Sequence, residues 1–192
     1  FHKNRFFLTL IGGSVRNILS NKKIGSDLDF ELRPLDNDSI KNWKLNLKNL
    51  LIDLETEQVI VEELKFGVFK FKYKEFDIEF STPRLETYDR ESKELIKHDS
   101  FKCELIPGLA YEKSFKRRDL TINSFGHEIK TGENGYQLDF IDPYNGKTDF
   151  ENKVFKINSD DFFLDPVRFI RLVRFEIQLG FRFDIKIKNN LS

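Results

Sequence analysis

An α+β fold, a mixed sheet with helices packed on it, follows from three observations on this 192-residue chain. Residues 26–32, Ser-Asp-Leu-Asp-Phe-Glu-Leu, alternate polar and apolar with period two, the mark of a strand with one covered face. Ile40, Trp43, Leu47, Leu50, Leu51 and Leu54 recur at helical spacing behind the capping run Asp36-Asn37-Asp38-Ser39. Strands and helices alternate through the first half without strict βαβ regularity, so the sheet is mixed rather than parallel.

In order, residues 6–11 form a buried apolar strand, Gly12-Gly13 turns the chain, and a short helix runs from Ser14 to about Leu19. The carboxylate strand at 26–32 and the long capped helix follow, with Trp43 on the core stripe rather than serving as a base-stacking platform. Three strand runs come next, Gln58 to Leu64, Phe66 to Tyr73 and Phe76 to Phe80, the last two joined by a tight turn at Lys74-Glu75. In the third run Phe76, Ile78 and Phe80 face one way while Asp77 and Glu79 face the other. Residues 81–113, polar and holding Pro83, Pro107 and Gly108, are expected to be a long loop region. Thr131-Gly132-Glu133-Asn134-Gly135 predicts a hairpin turn between strands at about 124–130 and 136–141. Asp142-Pro143-Tyr144-Asn145-Gly146 is a chain-reversing turn, and a helical C-terminal part begins near Ser159.

Composition narrows the function. The 32 basic and 32 acidic side chains cancel, which argues against a polyanion-coating protein while leaving room for a local basic patch. The single cysteine, Cys103, excludes an intrachain disulfide and fits a reducing compartment, with a buried spectator as its expected role. No apolar run approaches membrane-spanning length and no signal-peptide layout opens the chain, so a soluble, cytoplasmic protein with no membrane partner is expected. There is no Met and the last residues show no obvious end to a fold, so the chain is expected to be a fragment of a longer protein.

Chemistry concentrates in a few places. Asp27, Asp29 and Glu31 share one face of a strand, where like charges repel and structure alone gains nothing. A hard cation such as Mg²⁺, which takes one or two carboxylates plus phosphate oxygens, turns that repulsion into attraction. Upstream, the Gly12-Gly13 turn at a helix start offers backbone amides to a triphosphate. Either motif alone is common in structural roles; phosphate cradle and carboxylates in this order and proximity suit nucleotide-dependent phosphoryl transfer. Lys116-Arg117-Arg118-Asp119 is a dense basic cluster able to grip phosphate or ribose, with Asp119 orienting one guanidinium. Asp165-Pro166-Val167-Arg168 opens a helix, where capping alone explains Asp165, yet an acceptor and a donor three residues apart can also pair with a base edge. Arg168, Arg171 and Arg174, with Ile170, Val173 and Ile177 between them, predict a helix with one core side and one basic side.

These blocks resemble, in order, the bacterial-type (class II) tRNA nucleotidyltransferases and their poly(A) polymerase relatives. Gly12-Gly13-Ser14-Val15-Arg16 with Asp27-Leu28-Asp29 is similar to that family's nucleotide and metal motif, and Arg117 through Asn123 to its ribose block. Asp142 through Gly146 with Asp149 resembles its hinge motif, Asp165 through Arg168 and on to Arg174 its base-reading block. Ile78 through Arg84, with Glu86 and Tyr88, fits the stretch after the second acidic strand and makes Glu79, rather than Asp77, the third carboxylate. Two positions depart: Asn17 stands where the family usually has Asp, and Leu164 where it commonly has Glu.

The resemblance implies a polymerase-beta-like nucleotidyltransferase head at 1–150 and the start of a helical neck at 151–192. It implies transfer of AMP or CMP from ATP or CTP to the 3′ end of RNA, most naturally tRNA, as a CCA-, CC- or A-adding enzyme. The alternatives are a poly(A) polymerase and a fragment that binds nucleotide or RNA without turnover. On this resemblance Asp27, Asp29 and Glu79 hold two Mg²⁺ ions, and Gly12, Gly13 and Arg16 cradle the triphosphate. Arg117, Arg118, Asp119 and Asn123 attend the ribose, and Asp165, Arg168, Arg171 and Arg174 the base and nearby phosphates. Oligomeric state stays open.

Overall fold

The structure is a computed structural model that describes residues 1–88, 101–132 and 135–191. Its elements begin with β1 (Phe6–Ile11), α1 (Gly13–Leu19), β2 (Asp27–Pro34), α2 (Asn37–Lys41) and α3 (Trp43–Thr56). There follow β3 (Val61–Leu64), β4 (Val68–Tyr73), β5 (Phe76–Ser81), β6 (Arg84–Tyr88), β7 (Phe101–Leu105) and α4 (Tyr111–Lys116). The chain continues with β8 (Gly126–Gly132), β9 (Gly135–Ile141), α5 (Gly146–Glu151), β10 (Val154–Phe155), α6 (Pro166–Leu179), β11 (Arg182–Phe183) and α7 (Ile185–Leu191). It packs as two compact units: Phe1–Arg84 with Leu105–Ala110 and Gly126–Ile141, and Leu85–Glu104 with Tyr111–Phe125 and Asp142–Ser192.

The first unit is built on a seven-stranded sheet in the order β3-β4-β5-β2-β1-β8-β9. Every pairing is antiparallel except β2 with β5, so the sheet is mixed as expected. Phe6, Leu32, Leu50, Phe69, Phe71 and Phe80 form its core, with Leu47, Leu51 and Leu54 of α3 packed against them. The Phe69 and Phe80 rings stack at 5.2 Å, an offset contact that adds to area burial. The helix expected behind Asp36 is divided at Asn42, which closes α2 and opens α3; Asp36 caps α2 by accepting from the Ser39 amide.

The second unit has its own core of Leu120, Ile122, Phe155, Phe162, Leu172, Phe175, Phe181 and Ile187. Its α6 departs from the expected two-sided helix. The core side is Leu172 and Phe175 with Phe169 and Leu179, while Ile170, Val173 and Ile177 point outward, Ile177 at 82% exposure. A step of three residues turns 300° on a helix, so Arg168, Arg171 and Arg174 drift 60° per step and pass from buried to exposed.

The region expected to be loop holds two strands, β6 and β7, paired in a small sheet of their own. β7 alternates with period two but β6 does not, and each is short, flanked by polar residues and Pro83 or Pro107, with its partner beyond the range of local pattern. Residues 89–100 of that region lie outside the described residues, as do Glu133 and Asn134 of the expected hairpin turn between β8 and β9. Among the described residues no helix is long and apolar enough to cross a membrane.

Candidate active site

The first unit brings together the glycine turn and the acidic strands. Gly12 sits at φ 75° and ψ −142°, a conformation open to glycine, where β1 turns into α1. A Cβ built there would come within 2.9 Å of Asp29 Oδ2, so the missing side chain is the space that the carboxylate occupies. Gly13 starts α1, and a Cβ on it would lie 3.5 Å from Arg16 Nη2, which places that guanidinium back over the turn. Ser14 Oγ donates to the Asp27 carbonyl at 3.1 Å and ties α1 to the start of β2.

Parallel pairing of β2 and β5 sets Asp27 opposite Asp77 and Asp29 opposite Glu79. All four project from one sheet face, because they share parity on paired strands. Asp27 and Asp29 are exposed, and Asp77 and Glu79 half-buried. Glu31, third in the acidic strand, leaves the set: it is fully buried and takes Nε and Nη2 of Arg33 at 3.1 and 2.7 Å, while Arg33 Nη1 reaches the Leu109 carbonyl. Burying that carboxylate demands such a partner. Among the described residues no three His, Cys, Asp or Glu side chains are gathered into a ready-made metal cluster. The oxygen donors nevertheless fit Mg²⁺, which is ordinarily held by one or two carboxylates and completed by substrate phosphates rather than by an all-protein cage.

In the second unit, Asp119 is buried and saturated. Its Oδ1 accepts from the Leu120 amide at 2.8 Å and Asn123 Nδ2 at 2.7 Å, and its Oδ2 from Arg171 Nε at 2.7 Å. Burial alone would raise its pKa, but the Arg171 charge and these hydrogen bonds outweigh it and hold the carboxyl below its ordinary value. Arg118 lies over the Phe115 ring at 5.0 Å and donates to the Asn123 carbonyl, and Arg117 pairs with Glu86 at 3.6 Å. Arg171 and Arg174 both lie over Phe175, at 5.5 and 5.0 Å. Asp165 caps α6 by accepting from the Val167 amide at 2.9 Å and stands 3.6 Å from Arg168 Nε. The turn at Asp142 is structural as expected: its carboxylate accepts from the Gly146 and Lys147 amides and starts α5.

The family model for the poly A polymerase head domain matches residues 8–156. The chain belongs to that family. Two relatives called multifunctional CCA protein each align with just under half of this chain. The one from Haemophilus ducreyi is 35% identical over 95 residues, 48% of this chain and 22% of its own. The one from Paraburkholderia phymatum is 39% identical over 90 residues, 47% of this chain and 21% of its own. A solved tRNA nucleotidyltransferase, complexed with a primer tRNA and an incoming ATP analog, superposes with a TM-score of 0.66 at 25% identity, over 98% of this chain and 46% of that one. A CCA-adding enzyme in an apo form shares the fold with a TM-score of 0.69 at 24% identity, over 98% of this chain and 40% of that one. The aligned regions are thus about a fifth of the curated relatives' lengths and under half of the solved structures'.

Two connections lie outside what the sequence reading singled out. One is Glu31 with Arg33, where i and i+2 on one strand face carried the only available signal. The other is Tyr88 with Arg168, eighty residues apart, for which the sequence held none.

Proposed function

We propose that this chain is the catalytic head of a template-independent nucleotidyltransferase that adds CMP or AMP, from CTP or ATP, to the 3′ end of tRNA. The RNA 3′ oxygen forms a bond to the α-phosphorus of the nucleotide, and the bond to pyrophosphate breaks. Asp29 seated against Gly12 is the observation that carries this reading, because it joins the turn that would cradle phosphates to the carboxylates that would meet their metal. Mg²⁺, as two ions held by Asp27, Asp29 and Glu79, would supply charge neutralisation at the leaving phosphates and activation of the attacking hydroxyl.

The chain's own residues do the rest. Gly12 and Gly13 give the triphosphate amides without side chains in the way, and Arg16 adds charge over the same turn. Arg117 and Arg118 attend the sugar and phosphates, with Asp119 and Asn123 fixing the backbone between them and Asp119 holding Arg171; Arg174 extends the basic surface. Asp165 and Arg168 supply an acceptor and a donor side by side. That pair complements the amino group and unprotonated ring nitrogen shared by cytosine and adenine, and mismatches uracil and guanine. In this scheme 1–150 is the nucleotidyltransferase head and 151–192 begins a helical neck, with cytoplasmic RNA as the expected partner.

The test is incubation of the chain with Mg²⁺, labelled CTP or ATP, and tRNA transcripts ending before CCA, after C, or after CC. Extension matched to the missing nucleotides supports CCA addition. The head-domain family also favours a second reading, a poly(A) polymerase, which would instead extend any of these ends with runs of AMP. Nucleotide binding without extension points to a head that needs further chain to hold RNA. Asp27→Ala, an exposed change, should abolish transfer with the unfolding transition in place; full activity would remove the metal assignment.

A further inference from the structure

Arg168 is 5% exposed, unusual for an arginine in the first turn of a helix, and its guanidinium is held from several sides. Nη2 donates to the Arg117 carbonyl at 2.8 Å and to the Tyr88 hydroxyl at 3.2 Å, which uses both of its hydrogens. Nε lies 3.6 Å from Asp165 Oδ2, and the Tyr88 ring stands 5.8 Å from the guanidinium carbon. Nη1 is the exception: it is buried and has no acceptor among the described residues. A buried donor pair without an acceptor is costly and calls for an explanation. Tyr88 and Arg117, the two residues that hold Nη2, also line a cavity of about 310 Å³ together with Glu86, Lys113, Lys116 and Asp161.

A guanidinium is a rigid plane that swings as one body about the Cδ–Nε bond and the stem, so holding Nη2 at two points sets the direction of the Nη1 donors. The Arg117 carbonyl fixes one of those points and the Tyr88 hydroxyl the other. Tyr88 is buried, packs against Phe101 at 5.7 Å, and its phenol is pushed above the ordinary value by burial, so it stays a neutral acceptor through the physiological range.

We propose that Tyr88 is a positioning and specificity-determining residue, whose hydroxyl orients Arg168 so that its Nη1 donors meet the ring-nitrogen acceptor of an incoming cytosine or adenine. This rests on the nucleotide reading above. It acts through Arg168 and touches no substrate itself.

Calorimetric titration of the chain with CTP, ATP and UTP in Mg²⁺ provides the test, using wild type, Tyr88→Phe, Arg168→Ala and the double variant. Tyr88→Phe keeps the ring and its contacts, so its unfolding temperature should match wild type. Its affinity for CTP and ATP should fall about tenfold or more with UTP binding little changed, the effect of one hydrogen bond to a charged group. In the Arg168→Ala background the same change should add nothing, which a general loosening of structure would not reproduce. Wild-type preference for CTP and ATP that survives Tyr88→Phe overturns the inference and leaves the nucleotide reading standing. An equal fall in both backgrounds overturns it too, because Tyr88 would then act independently of Arg168. A wild-type chain that binds none of the three nucleotides overturns both.

Discussion

Replacing Gly12 by alanine tests the junction of turn and carboxylate directly. Two penalties add. The backbone at φ 75° and ψ −142° is close to glycine-only territory, and holding a Cβ there costs about 1–3 kcal/mol. The new Cβ would also lie 2.9 Å from Asp29 Oδ2, nearer than such atoms approach, so the carboxylate must swing away or the turn must shift. A chain of this size loses about 2–4 °C of unfolding temperature per kcal/mol, so thermal unfolding should fall by roughly 2–12 °C. Gly13→Ala is the control: its Cβ meets nothing closer than Arg16 Nη2 at 3.5 Å and its φ is not positive, so stability should stay within about 0.5 kcal/mol. Differential scanning fluorimetry reads stability, and labelled nucleotide incorporation reads function. Incorporation by Gly12→Ala should drop further than its folded fraction explains, since Asp29 is displaced even in folded molecules. An unfolding temperature equal to wild type, or incorporation that merely follows the folded fraction, would refute the reasoning.

Two further outcomes follow from buried charge. Arg33→Ala removes the guanidinium paired with the fully buried Glu31 and should destabilise by about 3–5 kcal/mol in urea unfolding, whereas Glu31→Leu with Arg33→Met should cost much less. His127, beside Phe140 at 5.2 Å and with neither ring nitrogen bonded among the described residues, has its pKa lowered from 6.5 by burial. Above pH 6.5 both folded and unfolded chains carry it neutral; below, the unfolded chain takes up a proton that the folded chain resists, so stability falls as pH drops through that window. His127→Leu should lose less stability than wild type between pH 7 and pH 5.5, and equal losses would count against this origin.

Much of this architecture is written locally. The alternation at 26–32, the Gly12-Gly13 turn, the Asp36 cap and the Asp165-Pro166 helix start all depend on neighbours a few residues away, and each stands where the pattern placed it, though the helix behind Asp36 is split at Asn42. What local pattern could not carry is which strand lies beside which. Only the parallel pairing of β2 with β5 sets Glu79 opposite Asp29, and only tertiary burial converts Glu31 from a third ligand candidate into the partner of Arg33. Strands β6 and β7 went unseen because a short polar strand acquires its meaning from a partner elsewhere in the chain. On α6 the residue types were plain, but the rotation that buries Arg168 and exposes Ile177 was decided by the core it packs on. The sequence by itself determined the chemistry available and the backbone that presents it. Tertiary structure decided which charges are consumed in holding the fold and which remain for a ligand, because burial and long-range pairing are properties of the packed chain.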